Sequence, residues 1–334
     1  MFGLRWRRFW AWPWELRRKG VLGMNARNLE LVSLLNPPAY FHRVDDKVLT
    51  KQICEARGLP VPRTYAILVR FGDVRLFPKI IGNRQQFVLK PACGAGGRGV
   101  VVVVRHDGAD FHTSSGEVVS LPELRYHLFT TLSGAYSLGG GADRAIIEER
   151  ITKHPAFGEL AFGGTPDIRT IVFRHRPVMA MLRLPTKQSR GRANLHQGAV
   201  GVGIHMQTGR TTWAVCQERL VARHPDCGLA VTGFQIPFWN DVLTIAAEVS
   251  RSLEMGYIGV DIVLDASRGP IVLEANARPG LGIQVANQTG LIEQLDLAAQ
   301  AGAPAPPQAV ADKVCEPVVS QAAGGTGWNK EGNP

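Results

Sequence analysis

The sequence predicts an α+β fold, because its apolar runs are mostly short, β-rich and hairpin-forming, and because segments with helical periodicity are few and scattered among them. The runs fall at 65–69, 86–90, 100–104, 145–148, 168–174 and 177–184. Strands joined by hairpins do not build an all-parallel, doubly wound sheet.

Residues 1–20 interleave Trp6, Trp10, Trp12 and Trp14 with arginines, and Pro13 interrupts any long helix there. Two readings stand. The tryptophans pack on the protein's own body, or the segment meets an anionic membrane surface or a membrane-protein partner. Residues 45–57 read as a helix: an Asp caps its start, Gly58 follows its end, and Pro60 and Pro62 forbid continuation. Residues 238–254 read as an amphipathic helix with Val242, Leu243, Ile245, Ala246, Val249 and Leu253 on its apolar side. Strands 257–264 and 270–275 form an antiparallel hairpin across Asp265–Gly269, and a last helix fits 289–300. From 302 on the composition is that of a disordered tail. The expected divisions are 1–24 (basic, Trp-rich), 25–85 (helical), 86–301 (main domain) and 302–334 (tail).

Composition narrows the function. With 334 residues and 45% hydrophobic content the chain can bury a large core. No run of about 18 apolar residues exists, so no membrane-spanning helix is expected, and the N-terminus lacks the apolar stretch of a secretory signal. Five cysteines without a CxxC pair argue against a zinc site or a disulfide framework. They fit a cytoplasmic protein, with the inner membrane surface open to it through residues 1–20. The net charge is +10, of which residues 1–28 carry +6. Basic charge concentrated at one terminus is not the footprint of a nucleic-acid-binding body.

Four stretches carry chemistry. In 87–103 a strand ends at Lys90, and a loop with Gly94, Gly96, Gly97 and Gly99 leads into a second strand. Glycines let backbone N–H groups turn toward an anion, and Lys90 adds a point charge. The spacing is neither a P-loop nor a dinucleotide fingerprint, and a plain flexible hairpin has the same pattern. Glu148 and Glu149 end an apolar strand and face opposite ways, so at most one faces the core side. Asp167 and Arg169 form an i, i+2 pair, and the segment after them, read as a loop, gathers Arg183, Lys187, Arg190, Arg192, Asn194 and His196. Donors at that density suit phosphate, as they also suit a solvated basic loop. Asp261 lies inside an apolar strand, where a carboxylate is costly unless paired or metal-bound. Glu274 and Asn276 share one strand face opposite it. Two carboxylates and an amide oxygen suit Mg²⁺.

In order along residues 25–300, "VDDKVLTK", "FVLKP" with its glycine loop, "IIEERI", "DIR", "RANLHQG", "GVDIVL" and "LEANARPGL" resemble the ATP-grasp superfamily, and within it the α-L-glutamate ligase-like proteins, relatives of the ribosomal-protein glutamate ligases. The resemblance implies two α+β subdomains whose antiparallel sheets hold ATP between them. It implies that Lys90, with Gly96 and Gly97, meets the ATP phosphates, that Glu149 and Arg150 meet adenine and ribose, that Asp167 contacts the nucleotide, and that Lys47 lies near it. Arg192 and Asn194 would reach the phosphates. Arg169, Lys187 and His196 would lie near the acceptor or acyl phosphate. Asp261, Glu274 and Asn276 would hold Mg²⁺, or Mn²⁺ in its place. The implied reaction joins a carboxylate substrate to an amine such as an amino acid through an acyl phosphate. An ATP-dependent phosphotransferase and a nucleotide-binding adaptor for a membrane partner are the alternatives. The chain departs from the family pattern at 132–143, a long insertion expected as a loop over the site, and at Arg278, which stands where serine is usual.

Overall fold

Alternation along the β-rich runs decides which side chains face each way. In the strand Phe87–Pro91, Phe87 and Leu89 are buried in one core while Val88 and Lys90 turn to the opposite face. The computed structural model describes residues 11–108, 110–160 and 163–301. Trp6 and Trp10, the tail from 302 and its Cys315 lie outside the described residues.

Six strands form the first sheet: β1 (Thr64–Leu68), β2 (Phe87–Pro91), β3 (Val101–His106), β4 (Asp110–Thr113), β5 (Val118–Ser120) and β6 (Ala145–Glu148). Their order is β1-β6-β2-β3-β4-β5, antiparallel throughout. One face is covered by the helix Leu121–Leu132, through Leu124 and Leu128, and by Phe77. Phe77, Phe87 and Phe111 meet edge to face at 5.9 and 6.0 Å between centroids.

The second sheet has seven strands: β7 (Asp167–Phe173), β8 (Arg176–Leu184), β9 (Val200–Ile204), β10 (Thr211–Cys216), β11 (Arg219–Leu220), β12 (Tyr257–Asp265) and β13 (Gly269–Asn276). Their order is β11-β10-β9-β8-β7-β12-β13. The helix Trp239–Leu253 covers one face through Val242, Ala246 and Val249. Leu31, Val32, Ile283 and Leu291 cover the other. All nine residues of β12 are buried. That is why it reads as an apolar run and why a carboxylate within it needs a partner.

The predicted hairpin forms, with Asp265 opposite Gly269. Asp265 accepts hydrogen bonds from the Ser267 and Arg268 N–H groups and closes the turn. The expected helix at 45–57 is Lys47–Ala56, and the capping acid is Asp46, whose Oδ1 accepts from Val48 N at 3.0 Å. Two expectations shift. The last helix begins at Ile292, after a separate helix Gly282–Asn287. Arg183 lies on β8, in regular pairing with Gly201 and Asp167, and is not in a loop. The helix Leu121–Leu132 was not read from periodicity. Its Ser120-x-x-Glu123 capping box, with Glu123 accepting from Ser120 N at 2.7 Å, was the available signal.

Helix Lys47–Ala56 is joined to the first sheet by charge. Glu148, 2% exposed, receives Lys90 at 2.5 Å on Oε1 and Lys51 at 2.6 Å on Oε2. Burial alone would raise its pKa, but the two ammonium groups outweigh burial and hold it below the ordinary carboxylate range. The stabilisation is therefore complete above the unfolded-state value of ~4.3 and is lost as pH falls through the lower folded value. Replacing Glu148 by Gln strands two buried lysines. We expect it to cost about 3 kcal/mol of unfolding free energy in urea titrations, and the deficit should narrow toward acid pH. An unchanged midpoint would contradict the assignment.

Candidate functional site

Facing sides of the two sheets leave a cavity of about 930 Å³, of nucleotide size. Val88 and Val102 wall one side, and Ile151, Val263 and Leu273 the other. Charged groups collect at its deep end.

Strand register sets that end. Asp261 of β12 stands opposite Arg169 of β7 and opposite Glu274 of β13. The pairing of Ile262 with Val272 leaves Leu273 as an extra residue on β13, a β-bulge. A regular strand would send Leu273 and Glu274 to opposite faces, but here both line the cavity. Asn276, two residues on, lines it too.

Asp261 is 0% exposed. Its Oδ1 accepts from Arg169 Nε at 2.7 Å. Its Oδ2 accepts from Arg169 Nη2 at 2.5 Å and from Arg183 Nη2 at 2.6 Å. Arg183 also donates to both oxygens of Asp167, at 2.5 and 2.7 Å. Burial opposes ionisation of Asp261, yet Arg169 and Arg183 outweigh it and hold the pKa well below the usual range. Asp167 moves the other way. Burial is the largest cause, and the Asp261 charge adds to it against Arg183, so that its pKa rises to about 7.

The donor set fits a hard divalent cation. Asp261 Oδ1 takes one N–H and keeps acceptor capacity. Glu274 lies 3.9 Å from both Lys47 Nζ and Arg169 Nη2, beyond hydrogen-bond range. Asn276 turns its amide nitrogen to Glu274 at 3.4 Å, leaving its oxygen for coordination. Among the described residues no group of three His, Cys, Asp or Glu side chains is arranged for a metal. The candidate set is two carboxylates and one amide.

The glycine loop after β2 lies along one rim, with Gly96 at φ 64° and Gly97 at φ 72°. Lys90 enters the cavity beside Glu148. Lys47 donates from Nζ to the Gly94 carbonyl. The insertion at 132–143, expected over the site, instead fixes this loop. Leu138 N donates to Cys93 O at 3.0 Å, Ser137 bridges Gly94, and both Asp143 oxygens accept from Cys93 N at 3.1 Å. The Tyr136 ring occupies the space where a Cβ on Gly99 would sit, 2.4 Å from that position, and Gly99 has φ +71°. His127 Nε2 lies 2.9 Å from the Gly99 carbonyl oxygen.

Arg192, Asn194 and His196 also line the cavity, in a segment that meets the glycine loop: Gln197 Nε2 donates to the Gly96 carbonyl at 3.2 Å. Asn194 Oδ1 accepts from His196 N at 3.0 Å and caps a single 3₁₀ turn. Glu149 and Arg150 also line the cavity, where the chain crosses from one sheet to the other. Glu149 accepts from Arg63 N at 2.6 Å and from Arg268, and Arg150 donates to Gln86 at 2.9 Å. Lys187 does not join the group. It does not line the cavity, and its backbone N–H donates to Asp226 at 2.8 Å on the surface. Asp167 and Arg169 line the cavity but spend their hydrogen bonds on Arg183 and Asp261. The sequence reading missed Arg183 as a buried anchor, Glu148 as the inward acid of its pair, and Lys51. Lys51 was signalled only by its place one helical turn after Lys47.

The Tyr136 contact yields an expected outcome. Tyr136→Ala should free the glycine loop and weaken nucleotide binding about tenfold, or about 1.4 kcal/mol, in calorimetric titration with a non-hydrolysable ATP analogue. Tyr136→Phe should bind as the parent does, because the contact is made by ring carbons. Equal loss in both variants would refute the clamp.

The family model described as sugar-transfer associated ATP-grasp matches residues 26–299. A probable alpha-L-glutamate ligase of Legionella pneumophila (strain Corby) is 24% identical over 269 residues, covering 79% of this chain and 67% of that protein; its counterpart in strain Paris gives the same figures. The ATP-grasp ligase PsnB, solved with a minimal precursor, is similar at 16% identity and TM-score 0.42 over 80% of this chain, which spans 63% of its length. D-alanine–D-alanine ligase from Bacillus anthracis, solved with ATP, is similar at 15% identity and TM-score 0.42 over 78% of this chain and 65% of its own. The expected likeness to α-L-glutamate ligases holds, and with its two antiparallel sheets and the cavity between them the chain belongs to the sugar-transfer associated ATP-grasp family.

Proposed function

We propose that the protein is an ATP- and Mg²⁺-dependent carboxylate–amine ligase, forming an amide through an acyl phosphate. The observation that carries this reading is one cavity lined together by a phosphate-type glycine loop, by the buried Lys90 and by Asp261, Glu274 and Asn276. In this reading residues 86–301 form most of the nucleotide-binding domain, and residues 25–85 complete it with strand β1 of the first sheet and with Lys47 in the cavity, while 1–24 and 302–334 are accessory. The protein works in the cytoplasm, where ATP is abundant.

Adenine lies between Val88 and Val102 on one sheet and Ile151, Val263 and Leu273 on the other, next to Glu149 and Arg150. Lys90 and the N–H groups of Gly96 and Gly97 hold the phosphates, and Lys47 holds the glycine loop against Glu274. Asp261, Glu274 and Asn276 would hold Mg²⁺, which would supply neutralisation of the phosphate charge. Arg169 and Arg183 keep Asp261 ionised and fixed. The substrate carboxylate attacks the γ-phosphorus, and ADP leaves. Arg192 and Asn194 stabilise charge on the transferred group. An amine then attacks the acyl carbon, loses a proton and expels inorganic phosphate. Positioning and charge carry the rate, so no nucleophilic side chain is required. By likeness to the Legionella relatives the amine is an amino acid, with glutamate the first to test.

The test is ATP turnover by the purified protein with Mg²⁺ and pools of amino acids and acidic peptides, read as ADP, phosphate and product mass. A product lighter by one water than its two substrates supports ligation. A phosphorylated product would replace the ligase with a phosphotransferase. Glu274→Gln, which removes one ligand at a part-exposed position, should lower kcat/KM about 10³-fold, or ~4 kcal/mol of transition-state stabilisation, with the melting temperature unchanged. Undiminished turnover would remove Glu274 from the metal site.

A further inference from the structure

The described residues of the Trp- and Arg-rich segment singled out in the sequence, from Ala11 on, do not line the cavity. Trp12 and Trp14 stack on each other, 4.7 Å between centroids and 13° between planes, and are 54% and 55% exposed. They do not pack on the protein's own body, so for these two residues that reading of the sequence fails. The helix Pro13–Arg18 that carries Trp14 buries no residue and ends in Arg17 and Arg18, followed by Lys19. Beyond it Met24, Leu29 and Leu34 are 65%, 69% and 74% exposed. Large apolar side chains so exposed, within so short a stretch, mark an interaction surface. Over residues 12–34 the sequence has four Arg or Lys (Arg17, Arg18, Lys19 and Arg27) against two Glu (Glu15 and Glu30).

From these observations we infer that residues 12–34 form a peripheral docking surface for an anionic lipid membrane. Indole rings combine an apolar face with a polar N–H and settle at the headgroup level. Basic residues beside them meet anionic headgroups, each strengthening binding roughly five-fold. No described helix is long and apolar enough to cross a membrane, so the attachment is interfacial. The surface is tied to the folded body. Leu22 N donates to Gln284 at 2.8 Å, Arg27 Nη1 to the Pro279 carbonyl at 2.9 Å, and Asn36 Nδ2 to the Tyr257 carbonyl at 2.7 Å. Pro279 lies just past Asn276, so the docking segment braces the chain that leaves the proposed metal site.

Vesicle flotation of the full chain tests this. Vesicles of phosphatidylcholine with about one third phosphatidylglycerol should bind at least about tenfold more tightly than phosphatidylcholine alone, and ~0.5 M salt should weaken that binding. Trp12→Ser with Trp14→Ser should reduce binding about tenfold, and Arg17→Gln with Arg18→Gln about 25-fold. Circular dichroism and melting should not change, since these residues are exposed. Failure to float with anionic vesicles, equal binding to both compositions, or indifference to the tryptophan substitutions would each overturn the inference. It stands apart from the ligase reading, because flotation needs no turnover.

Discussion

The carboxylate of Asp261 sits in the middle of a strand buried along its whole length, and the site is arranged around satisfying it. An isolated charge there would be neutralised or would unfold the strand. Arg169 supplies two N–H donors from the strand on one side, and Arg183 supplies a third from the strand beyond it. Arg183 in turn requires Asp167. Acid and guanidinium alternate across three strands, so the second sheet cannot slip by one residue without stranding a charge. Glu274, at the edge facing the cavity, is held more loosely: Arg169 and Lys47 approach it only to 3.9 Å, outside hydrogen-bond range. A cation drawn there meets a carboxylate already oriented.

The same logic applies on the first sheet at smaller scale. Glu148 is to Lys90 and Lys51 what Asp261 is to its arginines, a buried acid that orients basic groups. Lys47, on the helix that also carries Lys51, reaches both the glycine loop and the vicinity of Glu274. The glycine loop and the acids of the second sheet are thus linked through one short helix.

Much of this was legible because strand periodicity is strict. The i, i+2 spacings of Asp167 with Arg169 and of Glu274 with Asn276 place each pair on one face whatever the tertiary context. Asp46, Gly58 and the Asp265 turn are local signals of the same kind. Partners brought together by tertiary structure were not legible. Lys51 and Glu148 are 97 residues apart, and nothing near either names the other. Arg183 sits two residues before Pro185 in a stretch crowded with donors, so its strand position was hidden by its neighbours' composition. The insertion at 132–143 was recognised as unusual, but which side of the glycine loop it would take depended on Tyr136 meeting Gly99.

The bulge at Leu273 has an evolutionary corollary. Asp261 and Glu274 are matched across the ladder, while the extra residue stands outside the pairing and still projects into the cavity. A change of side chain there alters the shape of the apolar slot without touching the paired acids. Under the proposed function, preference for one base over another and competence in phosphoryl chemistry are therefore separable traits in this hairpin. The first can drift or be selected at a single codon while the second stays fixed by strand pairing.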